Sequence, residues 1–96
     1  QMVNFQLSFT KEIEEGGIYL FRAPMGGNFY LNPSHDANSL VEVGSIVTRS
    51  SVLCIIEAMK TFNQIECGVS GEIVKIMVEN GRLVESGEAL FKIRLG

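Results

Sequence analysis

Apolar and polar residues alternate along this chain in short runs with a period of two, and turn-forming residues interrupt the runs every several positions. The breaks fall at Gly26-Gly27, Asn32-Pro33, Gly44, Gly68, Gly71, Asn80-Gly81 and Gly87. One run, Val52-Leu53-Cys54-Ile55-Ile56, is continuously apolar and reads as a strand. No segment carries the spacing of an amphipathic helix over about 11 residues. Many short strands joined by glycine-rich turns predict an all-β sandwich or flattened barrel.

The pattern repeats internally. Val41-Glu42-Val43-Gly44-Ser45-Ile46-Val47 aligns without gaps to Val78-Glu79-Asn80-Gly81-Arg82-Leu83-Val84 at an offset of 37, which also sets Leu53 against Leu90 and Ile56 against Ile93. Upstream, Gly27-Asn28-Phe29-Tyr30 aligns to Gly71-Glu72-Ile73-Val74 at an offset of 44, and Ile18 to Arg22 falls opposite Phe62 to Glu66. Each half supplies about four strands. This predicts two four-stranded antiparallel sheets related by a pseudo-twofold axis. The offsets differ by seven, so the first half carries seven extra residues, drawn from the loop-like stretch Leu31 to Ser39. The junction between the halves is Glu57 to Thr61, and Lys60 lies within it.

Residues 1–17 stand outside the repeat. Val3, Phe5, Leu7 and Phe9 alternate with polar residues as in a half-buried strand, and Thr10 to Gly17 reads as an acidic turn. This extension reads as an added edge strand, the tail of a preceding domain or a remnant; residues 18–96 read as one domain. The absence of an initiator Met at Gln1 suggests a fragment or processed form.

Composition narrows the function. Ninety-six residues, 46% hydrophobic and 20% charged, suit one globular domain with a modest core. A net charge of −3 with no basic stripe argues against nucleic acid as partner, and no apolar run approaches the ~20 residues that span a bilayer. Cys54 and Cys67 do not form a disulfide framework and read as small buried hydrophobes in a reducing compartment. One His without metal-ligand spacing speaks against zinc. No acid–base or nucleophile constellation is visible, so an autonomous enzyme is not indicated.

Glu57-Ala58-Met59-Lys60 sits between Val52–Ile56 and Phe62-Asn63-Gln64-Ile65-Glu66, which places Lys60 at a hairpin tip. A two-residue hairpin turn wants positive φ, usually supplied by Asn-Gly; Met59-Lys60 contains neither residue. A looser turn over Ala58 to Thr61 is the alternative. Departure from local turn chemistry is expected where something other than stability is selected. A lysine in water is a protonated, poor nucleophile, and no neighbour activates this one, so Lys60 reads as a substrate for a modifying enzyme and not as a catalytic base.

These four residues, with Ala23-Pro24-Met25 and Val41-Glu42-Val43-Gly44, resemble the biotinyl domain of the biotin carboxyl carrier proteins of multisubunit acetyl-CoA carboxylases; the similarity spans about Ile18 to Leu95. The resemblance implies a biotinyl/lipoyl hammerhead fold and biotin joined by an amide to Lys60. It implies a biotin protein ligase reading Glu57, Ala58 and Met59, and transfer of a carboxyl group from a biotin carboxylase to a carboxyltransferase that makes malonyl-CoA for fatty-acid synthesis. Asn32-Pro33-Ser34-His35-Asp36-Ala37 resembles the protruding thumb of those carriers, which would cover the biotin ring, with Asn32 placed to hydrogen-bond its ureido group. His35 reads as a solvated thumb residue. A bacterial cytoplasm or plastid stroma is the implied compartment, and the full-length chain would be oligomeric through a region N-terminal to this one. Thr61 departs from the pattern, standing where many carriers have Met. A lipoyl carrier places a lysine at the same tip but within Asp-Lys-Ala; an unmodified interaction module is the remaining rival.

Overall fold

The computed structural model describes residues 13–96, and its elements are β1 (Ile13–Glu14), β2 (Ile18–Arg22), β3 (Gly27–Tyr30), β4 (Ile46–Val47), β5 (Val52–Ala58), β6 (Thr61–Glu66), β7 (Gly71–Ile76), β8 (Leu83–Val84) and β9 (Ala89–Leu95). They form two antiparallel sheets, ordered β1-β2-β9-β7-β4 and β6-β5-β3-β8. Exchanging the halves by the sequence offsets carries β2-β9-β7-β4 onto β6-β5-β3-β8, so the repeat is a structural pseudo-twofold. The hydrogen bonds repeat with it. Phe29 N–H donates to the Arg82 carbonyl (2.8 Å) as Ile73 N–H donates to that of Ser45 (2.9 Å). Gly81 N–H donates to Phe29 (2.6 Å) as Gly44 N–H donates to Ile73 (2.7 Å).

Two equivalent bulges explain the continuously apolar run. The register shifts between Val52 and Cys54 in the β5–β6 pair, and opposite Phe21 and Arg22 in the β2–β9 pair, leaving Leu53 and Leu90 as the extra residues. A strict period of two would send one residue of each adjacent pair to the outer face. The bulges instead let Leu53 with Cys54, and Leu90 with Phe91, all reach zero exposure. Phe29 from one sheet meets Phe91 from the other at 6.0 Å between ring centroids. Burial of each such side chain stabilises the fold by about 1.5–3 kcal/mol.

Gly27 and Gly71 permit the closest approaches. A Cβ on Gly27 would clash with the Glu57 carbonyl and lie 2.7 Å from Ile56 Cγ2; one on Gly71 would clash with the Arg94 carbonyl and lie 3.0 Å from Ile93 Cγ2. These are the same contacts in the two halves.

The expected pair of four-stranded sheets is present with one addition. Ile13 and Glu14, read from the sequence as part of an acidic turn, pair with Tyr19 and Ile18 as β1, and the turn itself is confined to residues 15–17. Glu14 Oε1 also meets Lys92 Nζ at 3.2 Å, a long-range ion pair that helps hold the short strand in place. The strand reading for Val3 to Phe9 lies outside the described residues.

Candidate functional site

Ala58 and Thr61 are the last paired residues of β5 and β6, so Met59 and Lys60 form the whole turn. Both have positive φ, 52° and 64°, as a primed two-residue turn requires. The tight reading of the hairpin therefore holds and the looser turn does not. The tip stands clear of the core: Met59 is 95% exposed, and Lys60 and Thr61 are exposed beside it.

Cross-strand register sorts the hairpin's side chains. Ile56 and Asn63 pair on the inner face, and the Asn63 amide donates to the Ile56 carbonyl (3.1 Å) and the Thr61 carbonyl (3.3 Å), bracing the stem below the turn. Glu57 pairs with Phe62 on the outer face and with Asn28 across β3, and its Oε1 accepts a hydrogen bond from the Tyr30 hydroxyl (3.3 Å). Phe62 is 66% exposed two residues from Lys60.

The seven-residue insertion folds back over this outer face. Its base is closed by Leu40 N–H donating to the Leu31 carbonyl (2.7 Å), and its interior by Asn32 Nδ2 donating to the Ala37 carbonyl (2.6 Å) and Ala37 N–H to that of Ser34 (3.1 Å). A further tie comes from the second half: Leu31 N–H donates to Asn80 Oδ1 at 2.6 Å. Between the insertion and the sheet lies an open groove of about 460 Å³. Asn32 to His35 form its roof; Tyr30, Ile55 and Phe62 form an apolar floor, with Asn80 at its edge. Phe62 lines the groove together with Asn32 and stands two residues from Lys60, which is not itself among the lining residues. Glu57 is drawn toward Tyr30, while Met59 is free in solvent. Sequence reasoning missed Tyr30, Asn63 and Asn80, whose roles depend on register and on contacts between the halves.

Cys54 and Cys67 are buried free cysteines, as their apolar settings suggested. Burial pushes the Cys54 thiol up to about 12. Burial raises that of Cys67 as well, partly offset by a backbone hydrogen bond at Val69. Both remain protonated and inert at neutral pH.

A protruding lysine on a primed turn, at the junction of the two halves of a pseudo-twofold all-β domain, defines the class of carrier domains that present a covalently held group to other proteins. The chain belongs to the biotin–lipoyl family, described as "Biotin-requiring enzyme", whose profile matches residues 20–93. It is 50% identical over 72 residues to the biotin carboxyl carrier protein of acetyl-CoA carboxylase from Pseudomonas aeruginosa, covering 75% of this chain and 46% of that protein. It is 45% identical over 71 residues to the protein of the same name from Porphyra purpurea, covering 74% of this chain and 45% of the other. The crystal structure of Kluyveromyces lactis urea carboxylase superposes with a TM-score of 0.68 at 28% identity, over 88% of this chain and 7% of that one. The chain spans somewhat under half the length of these two carrier proteins.

Proposed function

We propose that residues 18–96 are the biotinyl domain of an acetyl-CoA carboxylase carrier subunit, and that Lys60 is its attachment site. The observation that carries this reading is the turn itself. Two non-glycine residues held at positive φ are costly, on the order of 1–3 kcal/mol each, and they fix Lys60 Nζ on a rigid stem away from the core. The groove suits the group: the apolar floor of Tyr30, Ile55 and Phe62 matches a hydrocarbon-rich ring system, and Asn32 of the thumb supplies a side-chain amide for a cyclic urea.

Lys60 Nζ, deprotonated in the ligase's own site, would form an amide with the carboxyl carbon of adenylated biotin, releasing AMP and losing a proton. Biotin, when bound, supplies a ureido nitrogen able to carry a carboxyl group. The domain's own residues then hold and present it. The hairpin sets reach, and tethering raises effective concentration at each partner in turn, provided both sites can be spanned. Asn32, with Nδ2 committed to Ala37, retains Oδ1 as an acceptor for a ureido N–H. Glu57, Ala58 and Met59 form the surface a biotin protein ligase reads around Lys60. Biotin carboxylase and carboxyltransferase subunits are the proposed partners, malonyl-CoA the product, and a bacterial cytoplasm or plastid stroma the setting. The domain itself catalyses nothing in this scheme. Support comes from the carrier proteins it resembles and from the thumb.

Incubation with biotin ligase, biotin and ATP, beside a parallel incubation with a lipoate ligase and lipoate, tests the reading by intact mass. One biotinyl increment and no lipoyl increment is expected; the reverse would make this a lipoyl carrier.

A further inference from the structure

Asn80 and Val43 are the same residue of the repeat, and they differ in a way the turn does not require. Each precedes a positive-φ glycine, Gly81 at 89° and Gly44 at 97°. Each following glycine makes the same hydrogen bond, to Phe29 or to Ile73. Val43, 64% exposed, forms this turn as well as Asn80 does, so the amide of Asn80 is not there for the turn. What distinguishes the two positions is the thumb, present in the first half and absent from the second. Asn80 Oδ1 accepts the Leu31 N–H at the thumb's base (2.6 Å), and the residue lines the groove.

That bond fixes the orientation of the amide. With Oδ1 taken, Nδ2 is left with two donors and no protein acceptor among the described residues. Asn32 is committed the other way, its Nδ2 on Ala37 and its Oδ1 without a donor among the described residues. The groove therefore has one amide acceptor on its roof and one amide donor at its edge. A cyclic urea offers the complement, an N–H donor and a carbonyl acceptor.

We propose that Asn80 is a positioning residue for the tethered biotin, which anchors the thumb through Oδ1 and donates from Nδ2 to the ureido carbonyl. The proposal rests on biotin being attached at Lys60. It makes the second half of the repeat a participant in holding a group attached at the junction and roofed by the first half.

Two variants separate the roles, each biotinylated and checked by intact mass before use. Asn80→Val copies Val43 and removes both functions; Asn80→Asp keeps an acceptor for Leu31 and removes the donor. Amide hydrogen exchange at Leu31 reads the anchor. The change in ¹H–¹⁵N shifts at residues 32–35 and Phe62 on biotinylation reads docking. Asn80→Val should lose Leu31 protection and most of the docking shifts. Asn80→Asp should keep Leu31 protected while the docked population falls roughly three- to tenfold, the worth of one hydrogen bond. Wild-type docking shifts in biotinylated Asn80→Asp would overturn the donor role, and wild-type Leu31 protection in Asn80→Val would overturn the anchor. Absence of any biotinyl increment in the wild type would instead strike the attachment reading.

Discussion

Ile55 and Lys92 occupy the same position in the two halves, and only Ile55 is roofed. Ile55 is 7% exposed beneath the thumb, whereas Lys92 reaches Glu14 of the added strand at 3.2 Å. The two sheets share a scaffold, and the outer face of each is dressed differently. One face gained a groove beside the lysine tip; the other gained a short edge strand closed by an ion pair.

Deleting Asn32 to Asn38 should therefore restore a scaffold that already exists. It leaves three residues between Tyr30 and Val41, as Lys75, Ile76 and Met77 lie between Val74 and Val78. Cooperative unfolding should persist, with a loss of roughly 1–2 kcal/mol from uncovering Ile55, and carboxyl transfer should weaken. Collapse of the cooperative transition in denaturant would show that the thumb is part of the core.

The turn stores strain that a better turn residue would release. Met59→Asn should raise stability by about 1 kcal/mol, because Asn tolerates positive φ, with the gain visible in chemical denaturation. Unchanged or lowered stability would mean that Met59 is not strained at φ 52°.

Gly27→Ala and Gly71→Ala should each lose at least about 2 kcal/mol, since the new methyl meets backbone on the facing strand and neither sheet can move freely. Similar losses at both sites in denaturant titrations are expected from the pseudo-twofold. A loss at one site alone would show that the halves are not packed equivalently.

Glu88 gives the fold an acid-sensitive clasp. Its Oε1 accepts the Glu85 N–H (3.1 Å) and its Oε2 pairs with Arg82; these interactions, the backbone bond first, lower its pKa. A carboxylate lowered on folding adds stability that is present above its unfolded value and lost as pH falls through the folded one. Glu88→Gln should lower stability at neutral and alkaline pH and flatten the acid limb of the stability–pH curve, with the least change at the acid extreme. An unaltered acid limb would remove Glu88 from that role.

Much of this architecture was legible in the chain because the repeat preserves spacing. Two offsets placed eight strands, and the junction they left exposed Lys60. The difference between the offsets marked the thumb. β1 was not legible, since two residues carry no period and the ion pair that ties it down, Glu14 with Lys92, joins residues remote in sequence. Nor was Asn80, which reads as an ordinary Asn-Gly turn until its counterpart Val43 is seen to make the same turn. The consecutive inward residues at Leu53-Cys54 and Leu90-Phe91 needed bulges that periodicity alone does not locate.

The central claim is that Lys60, at the second position of a primed turn, is the residue that accepts biotin. The most direct measurement is intact mass after ligase, biotin and ATP for three proteins: wild type, Lys60→Arg, and the register-shifted pair Met59→Lys with Lys60→Met. One biotinyl increment in the wild type and none in either variant is the expected result. An increment retained in Lys60→Arg would place the attachment elsewhere, and one retained in the shifted pair would show that the turn's geometry is not what the ligase reads.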